Sequence, residues 1–170
     1  MSQVRQNFHE QSEAGINAQI TMELEAYYTY LAMAYHFDRD DVALKGFHEF
    51  FKHSAEEEQE HAQKLMKYQN RRGGRIVLNP IKAPTKSEWK SGLDAMQDAL
   101  ALERAVNESL LKLHKVAASH DDAHLTDYLE EEFLDEQVKS IKELAGHVTN
   151  LKRVGPGLGE YQFDHNSLSS

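Results

Sequence analysis

Apolar residues recur at steps of three and four through four long segments of the chain, the spacing that lines one face of a helix. The first segment covers about 12–37, with Ile16, Ile20, Glu23, Tyr27, Tyr30, Ala34 and Phe37 on its inward stripe. The second covers about 42–72 and presents Leu44, Phe47, Phe51, Ser54, Glu58, His61, Leu65 and Tyr68. In the third, about 87–119, the stripe reads Leu93, Met96, Leu100, Glu103, Asn107, Leu110, His114 and Ala117. The fourth, about 123–154, reads Leu129, Phe133, Gln137, Ile141, Leu144, Val148 and Leu151. A fifth, short segment over about 158–168 is too short to be a stable helix unless it docks on something.

The punctuation between these segments sets a topology. Asp38-Arg39-Asp40-Asp41 and His120-Asp121-Asp122 read as short turns, so the first and second helices, and the third and fourth, form antiparallel hairpins. Gly73-Gly74 ends the second helix, and Gly155-Pro156-Gly157 breaks the fourth. Between them, residues 75–86 carry Pro80, Pro84 and a β-rich run, Ile76-Val77-Leu78, without helical period. Ser87 followed by Glu88 reads as an N-cap with an acidic first turn. Helices of about 30 residues are about 45 Å long, and an extended connection of about 14 residues reaches about 46–50 Å. The connection can therefore span the bundle and set the third helix parallel to the second. The expectation is an all-α, single-domain four-helix bundle over 1–170 with one long crossover and a short C-terminal helix.

Composition narrows the chemistry. The chain has 170 residues and a formal charge of −9, which favours cations as partners over nucleic acid or an anionic membrane. It has no Cys, which excludes disulfides, thiolate metal sites and cysteine nucleophiles. Residues 1–10 are polar and lack the apolar centre of a signal peptide, and no run approaches the length of a membrane span. A cytoplasmic location is the expectation that follows.

A polar break interrupts the apolar stripe near the middle of each of the four helices: Glu23 on the first, Glu58 with His61 on the second, Glu103 on the third and Gln137 on the fourth. Helices of similar length packed side by side bring such positions to one level. Buried unpaired carboxylates are destabilising by several kcal/mol or more, and a bound cation removes that penalty. Glu58-x-x-His61 puts a carboxylate and an imidazole one turn apart, the metal-binding motif of bundles that also take single glutamates from partner helices. This donor set suits iron and also accepts zinc and other divalent cations. A lone Glu-x-x-His is as well explained by a solvated pair; four coincident breaks at matching depth are not.

Beyond these residues, the ordered strings Met22-Glu23-Leu24, Asp38-Arg39-Asp40-Asp41-Val42-Ala43-Leu44-Lys45, Glu57-Glu58-Gln59-Glu60-His61-Ala62, Gln69-Asn70-Arg71-Arg72-Gly73-Gly74-Arg75-Ile76, Glu136-Gln137-Val138-Lys139 and His147-Val148-Thr149-Asn150-Leu151 resemble ferritin, specifically its catalytic, heavy-type subunit. The resemblance covers nearly the whole chain and implies a ferritin-like fold. It implies iron storage in a hollow homo-oligomeric shell of 24 subunits, with ferroxidase activity on Fe(II) and oxygen. It also implies a diiron site, two irons per subunit. Glu23, Glu58 and His61 would hold the first iron, Glu58 would bridge to a second held by Glu103, Gln137 would sit in the outer shell, and Tyr30 would be the site tyrosine. The fourth helix lacks a second Glu-x-x-His, so the second iron is expected to bind more weakly and to leave after oxidation.

The resemblance further places His114, Asp127 and Glu130 at three-fold channels that admit Fe(II), with Glu131 relaying iron inward. The plain alternative for this cluster is a solvated acidic face at a helix start. Glu57 and Glu60 would face the cavity and nucleate mineral, or else belong to an exposed helix surface beside Lys52, Lys64 and Lys67; Gln63 stands where a carboxylate is often found. Leu158, Gln162 and Asn166 would face a four-fold pore. Three rivals fit less well. A substrate-oxidising diiron enzyme would carry a second Glu-x-x-His and more chain around a pocket. A helical cytokine would not need carboxylates on its core stripes. A passive storage subunit would lack part of Glu23, Glu58, His61 and Glu103.

Overall fold

The computed structural model describes residues 1–168. Helix α1 spans Glu10–Phe37, α2 Lys45–Arg71 and α3 Gly92–Ser119. The fourth long helix is α4, Ala123–Leu129, joined through a single π-helical turn, Glu130–Leu134, to α5, Asp135–Val154. Helix α6, Leu158–Ser167, follows. Among the described residues there is no strand, and Ile76-Val77-Leu78 runs as part of the crossover.

Each helix start has a local cause. The His9 imidazole accepts from the Gln11 amide and opens α1. Helix α2 begins at Lys45, later than the apolar pattern predicts, because Ala43 has φ 52°, a left-handed conformation a helix cannot pass through. The Leu44 amide instead donates back to the Phe37 carbonyl. Helix α3 is capped by Ser91, whose hydroxyl accepts from the Asp94 amide at 3.1 Å, and not by Ser87. The intervening Trp89 is buried and donates from its indole to Asp98, which holds 87–91 out of the helix. Asp122 caps α4 by accepting from the Leu125 amide. At the end of α2, Gly73 adopts φ 80° and its amide returns to Asn70, the left-handed stop that glycine allows without a Cβ penalty.

The crossover climbs along α1. Arg75 carbonyl accepts from Asn17 and the Val77 amide donates to the same side chain. The Lys82 amide donates to Glu25, and Glu88 pairs with Arg39 just past the end of α1. The connection therefore carries the chain from the foot of α1 to its far end. Helix α3 then descends antiparallel to α1, hence parallel to α2. This is the ferritin-like bundle with one long crossover.

The apolar core is split in two. One cluster, with Tyr30, Phe37, Phe47, Phe51, Met96, Leu144, Leu151 and Phe163, fills the end nearest α6. The other, with Ile16, Ile20, Leu65, Leu110, Leu125, Leu129 and Phe133, fills the opposite end. Burial of these side chains contributes about 1.5–3 kcal/mol each. The layer between them is where the polar interruptions of the stripes lie.

Candidate metal centre

Glu23, Glu58, His61, Glu103 and Gln137 are all buried in that middle layer, and Tyr30 is buried beside them. Glu23, Glu58 and His61 each offer a ligand atom, and these atoms all lie within 4.8 Å of one another. His61 Nδ1 is 3.6 Å from Glu58 Oε2 and 3.9 Å from Glu23 Oε2, both too long for a hydrogen bond. Glu23 Oε2, Glu58 Oε2 and His61 Nδ1 are buried with no hydrogen-bond partner. Three unsatisfied polar atoms, two of them carboxylate oxygens, converging in a protein interior need a cation or protons.

Several other atoms of the layer are satisfied and define its walls. Gln19 donates to Glu23 Oε1 at 3.0 Å and accepts from the Ser109 hydroxyl at 2.6 Å. The Tyr30 hydroxyl donates to Glu103 Oε1 at 2.6 Å. The Gln137 amide donates to Glu103 Oε2 at 2.8 Å. Glu103 thus faces Glu58 from the far side of the layer, and its charge helps to raise the pKa of the Glu58 carboxyl.

Electrostatics follow from this crowding. Burial, reinforced by the neighbouring Glu58 charge, pushes the Glu23 carboxyl well above its usual range. Burial pushes Glu58 up to about 8, with Glu103 adding to the rise. Burial and the adjacent Glu103 carboxylate also raise the Tyr30 phenol. Empty of cations, the layer is a strong proton acceptor; ligation by a divalent ion would replace those protons.

A cavity of about 500 Å³ leads to this layer, with Tyr30 and Glu103 among its lining residues and Glu49, His53, Glu57 and Glu143 around it. Glu57 lies 3.2 Å from His53. Glu60 lies on an exposed groove with Gln63, Lys64 and Lys67. His114 approaches Glu130 to 3.7 Å, while Asp127 and Glu131 are exposed on the same stretch of chain. Leu158, Gln162 and Asn166 are exposed along α6.

Sequence reasoning missed three contributors. Gln19 lies one turn before Glu23, and its place on the inward stripe is a signal that was available. Ser109 and Glu136 carry no such signal. Glu136 Oε2 lies 3.2 Å from His61 Nε2, a contact set up by the π turn. There the Asp135 amide bonds to the Glu130 carbonyl, five residues back. That turn accommodates an extra residue, so Leu125, Leu129, Phe133 and Gln137, spaced by four throughout, all remain buried.

Comparison with known proteins agrees with this architecture. Residues 13–154 match the ferritin-like domain family. The chain is 69% identical to soma ferritin of Lymnaea stagnalis over 170 residues, covering 100% of this chain and 98% of the relative. It is 64% identical to the ferritin heavy chain of Echinococcus granulosus over 168 residues, covering 99% and 97%. With the bundle, the crossover and near-complete coverage of both relatives in agreement, the chain belongs to the ferritin family.

Proposed function

We propose that this ferritin is a ferroxidase-competent, heavy-type subunit that oxidises Fe(II) inside the bundle and delivers Fe(III) to a shell cavity for storage. The observation that carries the reading is the convergence of Glu23 Oε2, Glu58 Oε2 and His61 Nδ1, buried and without partners. A storage subunit without chemistry has no use for them.

The residues divide the work. Glu23, Glu58 and His61 hold the first Fe(II). Glu58 bridges to the second, held also by Glu103. Each Fe(II) gives up one electron and oxygen accepts them, the open positions on the metals admitting it. Tyr30 and Gln137 fix the Glu103 carboxylate from either side, so the second ion meets a preset ligand. The fourth helix adds only the neutral Gln137, so the second iron is held by fewer charges and leaves more readily as Fe(III). Departure is easiest through the acidic cavity that Glu57 and Glu103 line, towards the mineral surface where Glu57 and Glu60 act. Fe(II) arrives along His114, Asp127 and Glu130, with Glu131 beside them. Three copies around an axis focus a negative potential.

The shell is a homo-oligomer of 24 copies in the cytoplasm, with no nucleic-acid or membrane partner. Exposed apolar side chains support burial between copies: Tyr28 and Tyr35 on α1, Val77 and Leu78 in the crossover, and Leu158 and Tyr161 on α6. No described helix is long and apolar enough to cross a membrane.

The test replaces Glu58 with Lys and His61 with Gly together. The variant is expected to assemble and to lose the fast phase of Fe(II) oxidation, leaving a rate near that of protein-free iron. Undiminished oxidation in the assembled variant would move the chemistry elsewhere.

A further inference from the structure

We infer that Glu136 is a positioning residue for His61: its carboxylate fixes the imidazole in the tautomer and orientation that aim the Nδ1 lone pair at the metal. The inference rests on the metal-centre reading above and adds a residue to it.

The geometry starts from the two faces of the ring. Nε2 lies 3.2 Å from Glu136 Oε2. A carboxylate oxygen accepts, so the proton on that edge belongs to Nε2. Nδ1 then carries a lone pair, and it points towards Glu58 Oε2 and Glu23 Oε2 at 3.6 and 3.9 Å. Three lone-pair-bearing atoms facing one another is the wrong arrangement for a histidine that serves as a hydrogen-bond donor to those glutamates. It is the right one for a histidine that shares a cation with them. Metal-bound histidines almost always donate their other N–H to such an outer partner, which fixes the ring and raises its basicity.

The ring plane is held from the same stretch of chain. Phe133 meets the imidazole edge-on, with centroids 5.7 Å apart and planes at 65°. Phe133 lies within the π turn and Glu136 just beyond it. Consecutive residues of a helix point about 100° apart, so Glu136 reaches His61 while Gln137 reaches Glu103. The extra residue of the π turn sets this register. Removing it would rotate α5 by one residue and take both side chains from their partners. One turn thereby orients a ligand of each metal position.

The experiment is calorimetric titration of the assembled protein with Zn(II), comparing wild type, Glu136→Ala, Glu136→Gln and the Glu58→Lys, His61→Gly variant. Sites absent from the last define the intrabundle binding. Glu136→Ala is expected to weaken those sites about 10–100-fold with the shell intact. Glu136→Gln is expected to restore most of the loss, because the amide oxygen accepts the same N–H. Unchanged affinity in Glu136→Ala would overturn the inference. So would a Gln variant as weak as the Ala variant, since charge or direct ligation would then be at work. A wild type that titrates like the Glu58→Lys, His61→Gly variant would retire the metal-centre reading itself, and the role of Glu136 with it.

Discussion

Carboxylates buried in one layer set the acid–base behaviour of the metal-free protein. Glu58 titrates in the unfolded chain near 4.5 and is pushed up to about 8 by burial, and Glu23 is raised in the same direction for the same reason. Between those values the folded chain holds protons that the unfolded chain has released, so stability from this layer is lost as pH rises from about 4.5 to about 8. A divalent ion bound there would take the place of the protons and oppose the loss. Melting of the metal-free protein at about pH 5 and about pH 8 should therefore show a steeper decline for wild type than for Glu58→Gln. Parallel declines would mean that Glu58 takes up no proton on folding. Glu23, Glu58, His61, Glu103 and Gln137 were legible in the sequence because each interrupts an apolar stripe at mid-helix. Glu136 was not, since it lies beside the stripe and acquires its partner only through the register of the π turn. Ser109 was hidden because a serine off the stripe reads as surface until the Gln19 side chain is seen to reach it.

At the scale of elements, periodicity fixed which segments are helical, and local chemistry fixed where they begin. Ser87 and Ser91 both fit an N-cap; burial of Trp89 decided for Ser91. Ala43 carries no sign in its side chain of the left-handed backbone that delays α2. The π turn is composed of Glu130, Glu131, Glu132, Phe133 and Leu134, with no Gly or Pro to mark it. Its trace in the sequence is a stripe spaced by four at Leu125, Leu129, Phe133 and Gln137, where an unbroken α-helix would alternate threes and fours. The docking of α6 was also only partly visible. Phe163 joins the aromatic cluster, and Asp164 accepts from the Phe47 amide at 2.8 Å. A Cβ at Gly46 would come within 2.2 Å of the Asp164 carbonyl oxygen. Gly46→Ala is thus expected to detach α6 while leaving the four long helices formed. Limited proteolysis should cut the variant near residues 155–168 and spare the bundle; equal resistance to wild type would show that the contact can relax.

Over the whole molecule, the surface carries what the bundle alone does not use. The formal charge of −9 and the acidic stretch around Asp127 and Glu130 fit a protein that attracts cations towards defined inlets. Replacing Asp127 with Asn and Glu130 with Gln should slow oxidation at limiting Fe(II) while leaving the number of irons oxidised per chain unchanged. A full rate in that variant would mean that iron arrives by another route, the cavity lined by Glu57 and Glu103 being the nearest. The ferritin architecture itself was readable from strings spread along the chain, whereas the symmetry of the shell is a property of contacts between copies. The most direct test of the central claim is stopped-flow oxidation of Fe(II) by oxygen, with iron added in steps up to and beyond about two per chain. A fast phase that saturates near two irons per chain is the predicted result. Oxidation no faster than in a protein-free control would contradict the account and leave a storage shell without its own ferroxidase chemistry.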